Sequence, residues 1–522
     1  MHRRARHLNW PAFANPVPTM PDTDKTSAAE AESKKNRERE QVEKRLAQSP
    51  VASSGSVTLA DGRRLNYQTA CEYLPVLHGG LGVERSDPQA AVFTTAYLLS
   101  GLERSSRPVC FAFNGGPGSS SVWLHLGALG PKRVVVPSDG TMPAPPYAVS
   151  DNPLTWLAHF DLVFIDPPHT GWSIAVSDDA RTKLFSVDGD VAALADVMRG
   201  WLTRHKRWGS KVYLAGESYG TTRGAALADA LQNANVALAG LVLVSCAMDL
   251  QSLVFAPRND LPYALFLPAF AGVAQFHGKL KGAHATSPQA ARQAAEVFVA
   301  DDYLRALAAG ARLSASQRRH IAQHLSELTG LPQALVEEKN LRINDQTFFF
   351  ELLRDAGRMV GRLDARATGP MAASRTRDWE FDPGIEAIAA PYGMAALAYF
   401  GEQLGLADEQ RYELLAMDVN KGWNWNRGEA KGNGFASTSD DLARALRRNP
   451  HLRVLVASGR YDLGTPYSAS DWSLAQLDAP AEVLARVEHH YYDAGHMMYT
   501  REDDLVKLER DLADWLAAGR RE

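Results

Sequence analysis

The stretch "KVYLAGESYGTTRG", residues 211–224, decides the fold of this chain. Residues 212–215 predict a short apolar strand, Gly-x-Ser-x-Gly follows at 216–220, and "GAALADALQNA" continues at helical spacing. Glycines on both sides of Ser218 let the chain turn sharply, so that the serine is held in a strained conformation with its hydroxyl exposed. The stretch therefore predicts a strand, a tight turn and a helix, with Ser218 as a candidate nucleophile.

Length and composition exclude several classes of protein. The chain has 522 residues, enough for a large core and more than one domain. With 45% hydrophobic and 22% charged residues, it has the composition of an ordinary globular protein. Its 56 Lys and Arg residues against 60 Asp and Glu give a net charge of −4, so no basic excess points to nucleic acid or an anionic membrane as partner.

Neither the apolar segments nor the cysteines indicate export. No apolar run approaches the roughly 18 residues of a membrane span, and the N-terminal sequence lacks the apolar centre of a secretory signal. Cys71, Cys110 and Cys246 are few and odd in number, and a reduced, buried thiol is the simplest interpretation of the latter two. We expect a cytoplasmic protein without a disulfide framework.

The pattern of the chain changes three times and so defines four segments. Residues 1–50 are polar and include the charge run "ESKKNREREQVEKR", so we expect a disordered, flexible N-terminal arm. Residues 51–250 begin with a predicted β-hairpin and continue as short apolar strands between helical stretches. Such strands predict a mostly parallel sheet covered by helices on both faces. Helical segments fill 251–440, an insertion, before strands return in 441–522.

A serine nucleophile needs a base and an acid that orients the base. In sheets of this kind the acid and the histidine follow the serine in that order. Asp462 follows the apolar strand of "HLRVLVASGRYDLGTP" (451–466), and His496 follows a short strand in "VEHHYYDAGHMMY" (487–499). Because catalytic groups lie outside the carboxyl ends of parallel strands, we predict that Ser218, Asp462 and His496 form one site.

Other side chains are alternatives for these roles. Asp462 has a structural alternative, an Asx turn in its Gly- and Pro-containing loop. His489 and His490 are alternative bases, but alternation along a strand directs one to each face, whereas the base must reach a loop at the sheet edge. Asp493 is an alternative acid, although a position three residues before His496 is awkward for orienting its ring.

A glycine-rich loop offers donors for an oxyanion. "FAFNGGPGSSS" (111–121) follows an earlier strand, and Gly115 and Gly116 allow its backbone to approach a substrate closely. In this arrangement one N–H comes from Tyr219, after the nucleophile, and one from the glycine-rich loop. A simple turn is the structural alternative for this loop, but the candidates Ser218, Asp462 and His496 favour the functional interpretation.

Together these stretches resemble the serine carboxypeptidases of the α/β-hydrolase superfamily. The matching stretches, in the family's order, are "NGGPGSSS" (114–121), "DNPLTWLAHFDLVFIDPPHTGWS" (151–173), "GESYG" (216–220), "SGRYDLGTP" (458–466) and "AGHMMY" (494–499). The resemblance implies an α/β-hydrolase fold with a mostly parallel central sheet flanked by helices and a helical cap insertion. It also implies a hydrolase that releases C-terminal residues from peptides through an acyl-enzyme.

The resemblance assigns roles to individual residues. It implies Ser218 as the nucleophile, His496 as the general base and then acid, and Asp462 as the group that orients His496. Gly116 and Tyr219 would donate their N–H groups to the oxyanion.

The resemblance also implies a site for the substrate's C-terminal carboxylate, formed by Asn114, Gly115 and Glu217. Two carboxylates can share a hydrogen bond only if one carries a proton, and a nearby like charge raises the pKa of one of them strongly. We therefore predict that Glu217 must be protonated to bind peptide, so that peptidase activity favours acidic pH.

The sequence departs from the family pattern in three places. Ser119 stands where eukaryotic members commonly have a disulfide-bonded cysteine, and "GESYGTTRG" and "DPPHTGWS" differ from the usual stretches. These departures, with the lack of a signal, indicate a bacterial branch. In the insertion, "NKGWNWNRG" carries Trp423 and Trp425. We predict that one of them lines the pocket for the side chain before the scissile bond, with core packing as the alternative.

Two other functions remain open. An esterase or acyltransferase would use the same three residues, because the fate of an acyl-enzyme depends on which nucleophile reaches it. A catalytically silent binding protein on a hydrolase fold is the third interpretation. We expect no cofactor and no metal, since the adjacent His489 and His490 point apart and a metal needs convergent ligands. The expected partner is a peptide with a free C-terminus.

Overall fold

The structure is a computed structural model that describes residues 23–79, 83–103, 107–406, 410–427 and 434–519. Its strands are β1 (Val51–Thr58), β2 (Arg64–Leu77), β3 (Pro88–Leu99), β4 (Val109–Phe113), β5 (Lys132–Val134), β6 (Val149–Asp151), β7 (Asp161–Ile165), β8 (Ile174–Ala175), β9 (Val212–Glu217), β10 (Leu238–Val244), β11 (Arg358–Val360), β12 (Thr368–Pro370), β13 (Arg453–Gly459) and β14 (Val487–Tyr492).

The helices lie between and beyond these strands. They are α1 (Thr23–Leu46), α2 (Val122–Leu124), α3 (Asp178–Leu184), α4 (Val187–Arg204), α5 (Tyr219–Asn233), α6 (Leu261–Phe276), α7 (Pro288–Phe298), α8 (Leu304–Ala309), α9 (Ala315–Thr329), α10 (Gln333–Glu338), α11 (Asp345–Glu351), α12 (Pro383–Glu402), α13 (Met417–Lys421), α14 (Ser439–Arg448), α15 (Tyr467–Ala475), α16 (Ala481–Leu484) and α17 (Glu502–Ala518). No helix in the described ranges is both long and apolar enough to cross a membrane.

A ten-stranded sheet forms the centre of the molecule. Its order is β1-β2-β3-β7-β4-β9-β10-β13-β14, with β8 added beside β3. The strands from β7 to β14 in this order run parallel, whereas β1, β2 and β3 are antiparallel to their neighbours. The predicted mostly parallel sheet and the predicted hairpin β1–β2 are therefore confirmed.

Both faces of the sheet are covered by helices, because its parallel strands are apolar on both sides. One face packs on α4, α5 and α14, for example through Trp201, Leu227 and Leu442. The other packs on α12 and α17, for example through Tyr399 and Trp515. Because both faces of these strands are buried, their sequences are continuous apolar runs.

The helical insertion forms a cap with a core of its own. Side chains of α6, α7, α9 and α11 make a separate apolar cluster, whereas α12 packs on the main sheet. The cap also contains the short hairpin β11–β12, where the sequence suggested only helices. The loop between these two strands, residues 361–367, reaches the edge of the sheet where the parallel strands end.

Part of the charged N-terminal segment is helical, whereas the sequence predicts a disordered arm. Residues 1–22 lie outside the described part of the chain, but Thr23–Leu46 forms the helix α1. Val42 is fully buried in the main core, and Arg45, 5% exposed, donates hydrogen bonds to the Tyr73 hydroxyl and the Trp172 carbonyl. Two side chains on one face thus fix a helix whose average composition predicts disorder.

Replacing Val42 tests whether α1 is part of the fold. Val42→Ala removes two buried methyl groups, so we expect the free energy of unfolding to fall by about 2 kcal/mol. Urea denaturation followed by tryptophan fluorescence measures this change. Glu40→Ala, at an exposed position of the same helix, is the control and should leave stability within about 0.5 kcal/mol. Equal stability of both variants would mean that α1 does not dock in solution.

Candidate active site

Ser218 lies on the sharp turn that the sequence predicts between β9 and α5. Its φ of 62° and ψ of −128° are a conformation that residues with a side chain rarely adopt. Its N–H donates to the Val244 carbonyl at 2.9 Å, which ties the turn to the end of β10. A Cβ atom at Gly216 would overlap the Gly220 carbonyl, so the pattern Gly-x-Ser-x-Gly is a steric requirement of this turn.

Asp462 is fully buried in the loop after β13, and both its oxygens are occupied. Oδ1 accepts the N–H groups of Gly464 (2.7 Å) and Thr465 (3.0 Å), whereas Oδ2 accepts from the Thr465 hydroxyl and from His496 Nδ1, each at 2.7 Å. The two interpretations that the sequence left open are therefore compatible. One oxygen makes the turn and the other orients the histidine.

His496 lies in the loop after β14 and is held on three sides. Its N–H donates to the Leu363 carbonyl at 2.6 Å, its carbonyl accepts from the Ser245 hydroxyl at 2.6 Å, and Nδ1 contacts Asp462. Burial opposes a charged ring, but the attraction and hydrogen bond of Asp462 outweigh it, so the pKa of His496 is raised. Because Nδ1 is engaged, Nε2 is the nitrogen available to Ser218.

The alternatives to these residues make other contacts. His489 is held by Asp471 and by the Ser458 hydroxyl, each at 2.9 Å. His490 lies 3.3 Å from Asp511, and Asp493 pairs with Arg460 at 3.2 Å. None of these three side chains lines the pocket that contains Ser218 and His496.

The glycine-rich loop after β4 packs directly against the turn at Ser218. A Cβ atom at Gly115 would overlap the Tyr219 N–H and lie 2.7 Å from the Glu217 carbonyl, so a side chain has no room there. Gly116, with a φ of 102°, continues this loop into the same pocket. The two segments expected to supply oxyanion donors, Gly116 and Tyr219, are therefore neighbours.

Asn114 and Glu217 form a buried pair beside the nucleophile. Asn114 Nδ2 donates to Glu217 Oε1 at 2.7 Å, while Asn114 Oδ1 accepts the Leu124 N–H at 3.0 Å. Glu217 Oε2 and the Tyr499 hydroxyl are both buried and make no hydrogen bond of normal geometry, although the hydroxyl is near enough to Glu217 to lower its pKa. An acceptor with no donor in a buried site is an exception that calls for a ligand or a proton.

The surroundings of Glu217 favour its uncharged form. Burial, with a contribution from the negative charge of Asp462, raises the pKa of Glu217 to about 7, against the opposing effects of His496, Tyr499 and Asn114. Because Oε1 accepts the hydrogen bond from Asn114, Oε2 is the oxygen that carries the proton. Below pH 7 this oxygen is a hydrogen-bond donor.

The pocket around Ser218 and His496 has a volume of about 260 Å³. Its wall combines Asn114, Gly115, Gly116 and Glu217 with residues of the cap, namely Arg362, Leu363, Ile385, Leu415, Met417 and Asn420. Trp423 and Trp425 do not line it. They pack edge-on against the Tyr219 ring, with centroids 5.1 and 5.6 Å away, which supports the packing alternative.

Sequence reasoning gave no role to Arg223, which lies in the departing stretch "GESYGTTRG". Its guanidinium is buried, donates to Asp190 Oδ2 and to the Asn114 carbonyl, each at 2.6 Å, and lies over the Tyr219 ring. The Tyr219 hydroxyl also donates to Asp190, at 3.2 Å. This ion pair joins α4, α5 and the glycine-rich loop. An arginine within an alanine-rich helix was the available signal.

Removing Arg223 tests how much the ion pair between Arg223 and Asp190 contributes to the free energy of unfolding. Arg223→Met leaves Asp190 buried without its counter-charge, so we expect the free energy of unfolding to fall by about 3–5 kcal/mol. Arg63→Met, which removes an exposed partner of Asp61, is the control and should cost less than about 1 kcal/mol. Urea denaturation of both variants measures the difference. A loss below 1 kcal/mol for Arg223→Met would contradict the role of this ion pair.

Comparisons with known proteins agree with this geometry. The serine carboxypeptidase family matches residues 92–254, which include the glycine-rich loop and the turn at Ser218 but not Asp462 or His496. A serine carboxypeptidase-like protein, number 36, from Arabidopsis thaliana is 32% identical over 120 residues. That alignment spans 22% of this chain and only 22% of the plant protein's own length.

Solved structures extend the similarity of fold to most of the chain. A prohormone-processing carboxypeptidase from Saccharomyces cerevisiae superposes with a TM-score of 0.53 at 15% sequence identity. The superposition covers 87% of this chain and 92% of the yeast chain. The chain therefore has an α/β-hydrolase fold, and its residues 92–254 match the serine carboxypeptidase family.

Proposed function

We propose that the protein is a serine carboxypeptidase, which releases residues from the free C-terminus of peptides through an acyl-enzyme on Ser218. The observation that carries this proposal is the Glu217 carboxyl group. It is buried beside the nucleophile, its pKa is raised to about 7, and Oε2 has no partner among the described residues. A donor at this place fits a carboxylate on the substrate, whereas an internal peptide bond offers none there.

Binding of the substrate involves the pair Asn114 and Glu217. Protonated Oε2 donates to one oxygen of the terminal carboxylate, and the Gly115 backbone lies beside it. This places the last peptide bond, rather than an internal one, over Ser218. Exopeptidase specificity thus follows because Glu217, in the carboxylate site, directly precedes the nucleophile Ser218 in the chain.

Acylation uses the three residues at the carboxyl ends of β9, β13 and β14. His496 Nε2 takes the proton of Ser218 as its Oγ attacks the carbonyl carbon, and Asp462 stabilises the imidazolium that forms. The N–H groups of Gly116 and Tyr219 receive the negative oxygen. The C–N bond then breaks, and His496 gives the proton to the departing amine.

Deacylation repeats the sequence with water. The released amino acid leaves the pocket, and a water molecule loses a proton to His496 as it attacks the ester carbon. The Ser218–acyl bond breaks, Ser218 regains the proton, and the shortened peptide departs. An amine or alcohol in place of water would give acyl transfer, the reaction of an acyltransferase, whereas an esterase would use the same steps with an alcohol as the first leaving group.

Three further predictions belong to this proposal. The departures at Ser119 and residues 166–173 support a bacterial branch of the family, which the plant and yeast relatives do not test.

Cys71, Cys110 and Cys246 are buried and free, as is common in reducing compartments, which supports a cytoplasmic location. The domain boundaries at residues 50, 250 and 440 stay predictions.

Matched substrates test the reaction directly. We expect a blocked dipeptide with a free C-terminal carboxylate to be hydrolysed with at least about tenfold higher kcat/KM than its C-terminal amide at pH 6, because the amide lacks a charged hydrogen-bond acceptor for Glu217. Ser218→Ala should lower kcat by about 10⁴-fold or more. Ser316→Ala, at an exposed position of the cap, is the control and should be unchanged. Equal hydrolysis of acid and amide would indicate an esterase or acyltransferase.

The pH profile tests the proton on Glu217. Glu217 loses its proton as pH rises through about 7, so we expect kcat/KM for free-acid peptides to fall above that pH by up to about tenfold per pH unit. On the acid side His496 must be neutral, and its raised pKa makes activity fall there as well. For the amide or ester substrate, which has no terminal carboxylate for Glu217, kcat/KM should fall only on the acid side.

The variant Glu217→Gln separates the effect of Glu217 on the pH profile from the effect of His496. Glutamine cannot ionise, so the fall above pH 7 should disappear for peptides while the acid-side fall remains. Glu482→Gln, at an exposed position, is the control and should keep the wild-type profile. An unchanged alkaline fall in Glu217→Gln would show that another group causes it.

A further inference from the structure

One side chain of the active-site pocket carries a permanent charge without a partner. Arg362 lines the pocket with Ser218 and His496 and is exposed to solvent. Among the residues that the structure describes, its guanidinium makes no ion pair and no hydrogen bond, although most other arginines of the cap do. A planar guanidinium offers several donors in a geometry that matches a carboxylate.

The backbone around Arg362 is rigidly placed relative to the catalytic groups. The N–H groups of Arg362 and Leu363 donate to the two oxygens of Asp382, at 2.9 and 3.1 Å. The Arg362 carbonyl accepts the Leu463 N–H at 2.9 Å, next to Asp462, and the Leu363 carbonyl accepts from His496. The loop between β11 and β12 is thus tied to the loops that carry Asp462 and His496, so the backbone of Arg362 has a defined position at the rim of the pocket.

The charge of Arg362 acts on the catalytic histidine. It opposes the protonation of His496, so the two side chains lie within electrostatic reach of each other. It also acts on Asp345 and Asp382, but burial raises the pKa of both carboxyls, and neither forms an ion pair with Arg362. The guanidinium therefore remains available to an anion that enters the pocket.

The released residue must lie close to Arg362. In the proposed reaction its amine receives a proton from His496 and its carboxylate reaches Glu217, so it spans the space between these two groups. His496 and Glu217 themselves interact across this space. The wall of the same pocket also contains Leu363, Ile385 and Met497, apolar side chains that suit the methylene groups of a side chain whose tip is charged.

We propose that Arg362 binds the acidic side chain of the released residue, so that the enzyme prefers peptides ending in glutamate or aspartate. This inference rests on the proposed carboxypeptidase function and names the substrate class within it. The preference comes from a cap residue outside the stretch that matches the family.

A series of blocked dipeptides that differ only in the last residue tests this preference. At pH 6, where a glutamate side chain is ionised and Glu217 is protonated, we expect kcat/KM to be about fivefold or more higher for C-terminal Glu than for Gln. In Arg362→Gln, kcat/KM should become equal for the C-terminal Glu and Gln substrates, whatever change the lost charge causes in the activity common to both. In Arg362→Glu the preference should change to C-terminal Lys.

Arg358→Gln is the control, because Arg358 is exposed on β11, outside the pocket, and should keep the preference for Glu. A loss of activity in Arg362→Gln on every free-acid substrate alike, with no loss on the matched C-terminal amides, would overturn the inference, since it would mean that Arg362 binds the terminal carboxylate itself. A preference for Glu over Gln in the residue before the scissile bond, and not in the last residue, would overturn it as well.

The same series separates this inference from the proposed function. Ser218-dependent hydrolysis of C-terminal Gln and Leu substrates with no preference for Glu would refute the role of Arg362 and leave the carboxypeptidase reaction intact. Absence of Ser218-dependent hydrolysis of any free-acid substrate would refute the reaction and the inference together.

Discussion

Ser218 can hold its strained conformation only because other backbone segments pass beside it without side chains. Its φ of 62° turns the chain from β9 into α5 within one residue. Gly216 lies against the Gly220 carbonyl, and Gly115 lies against the backbone of Tyr219 and Glu217. This close packing of two backbones brings Ser218, the Tyr219 N–H and the pair Asn114 and Glu217 together, and any side chain at these glycines would separate them.

Burial then determines the charge of each group in the site. Asp462 accepts four hydrogen bonds, and its interaction with His496 raises the pKa of that histidine. Glu217, with one donor and an unpartnered oxygen, has a raised pKa instead. Two carboxyl groups near one histidine thus differ in their hydrogen-bond partners, since Asp462 accepts four hydrogen bonds and Glu217 accepts one. The same contrast allows one to orient a base and the other to donate to a substrate.

Much of this arrangement was accessible from the sequence, and the exceptions share a physical cause. Ser218, Asp462 and His496 each follow a recognisable strand, and parallel strands bring such residues to one edge, so their meeting was predictable. The contact of Asn114 with Glu217 was inferred only through family resemblance. Arg223 was missed because its burial depends on α4 and the glycine-rich loop, which are distant in sequence.

Arg362 and α1 were missed for related reasons. The position of Arg362 depends on hydrogen bonds to Asp382 and Leu463, which no local pattern shows. The charge run of α1 dominates its composition and predicts disorder, although Val42 and Arg45 are buried against the core and Lys34 and Glu38 pair with residues of α3. The local periodicity of apolar residues predicts helices and strands, whereas contacts between segments distant in sequence decide which charged residues are buried.

The measurement that tests the central claim most directly is a mass-spectrometric time course with an unmodified ten-residue peptide at pH 6. The account predicts products shortened by one residue at a time from the C-terminus, dependent on Ser218, and at least about tenfold slower shortening of the same peptide with an amidated C-terminus. Cleavage at an internal bond or from the N-terminus, or equal shortening of the amidated peptide, would contradict it.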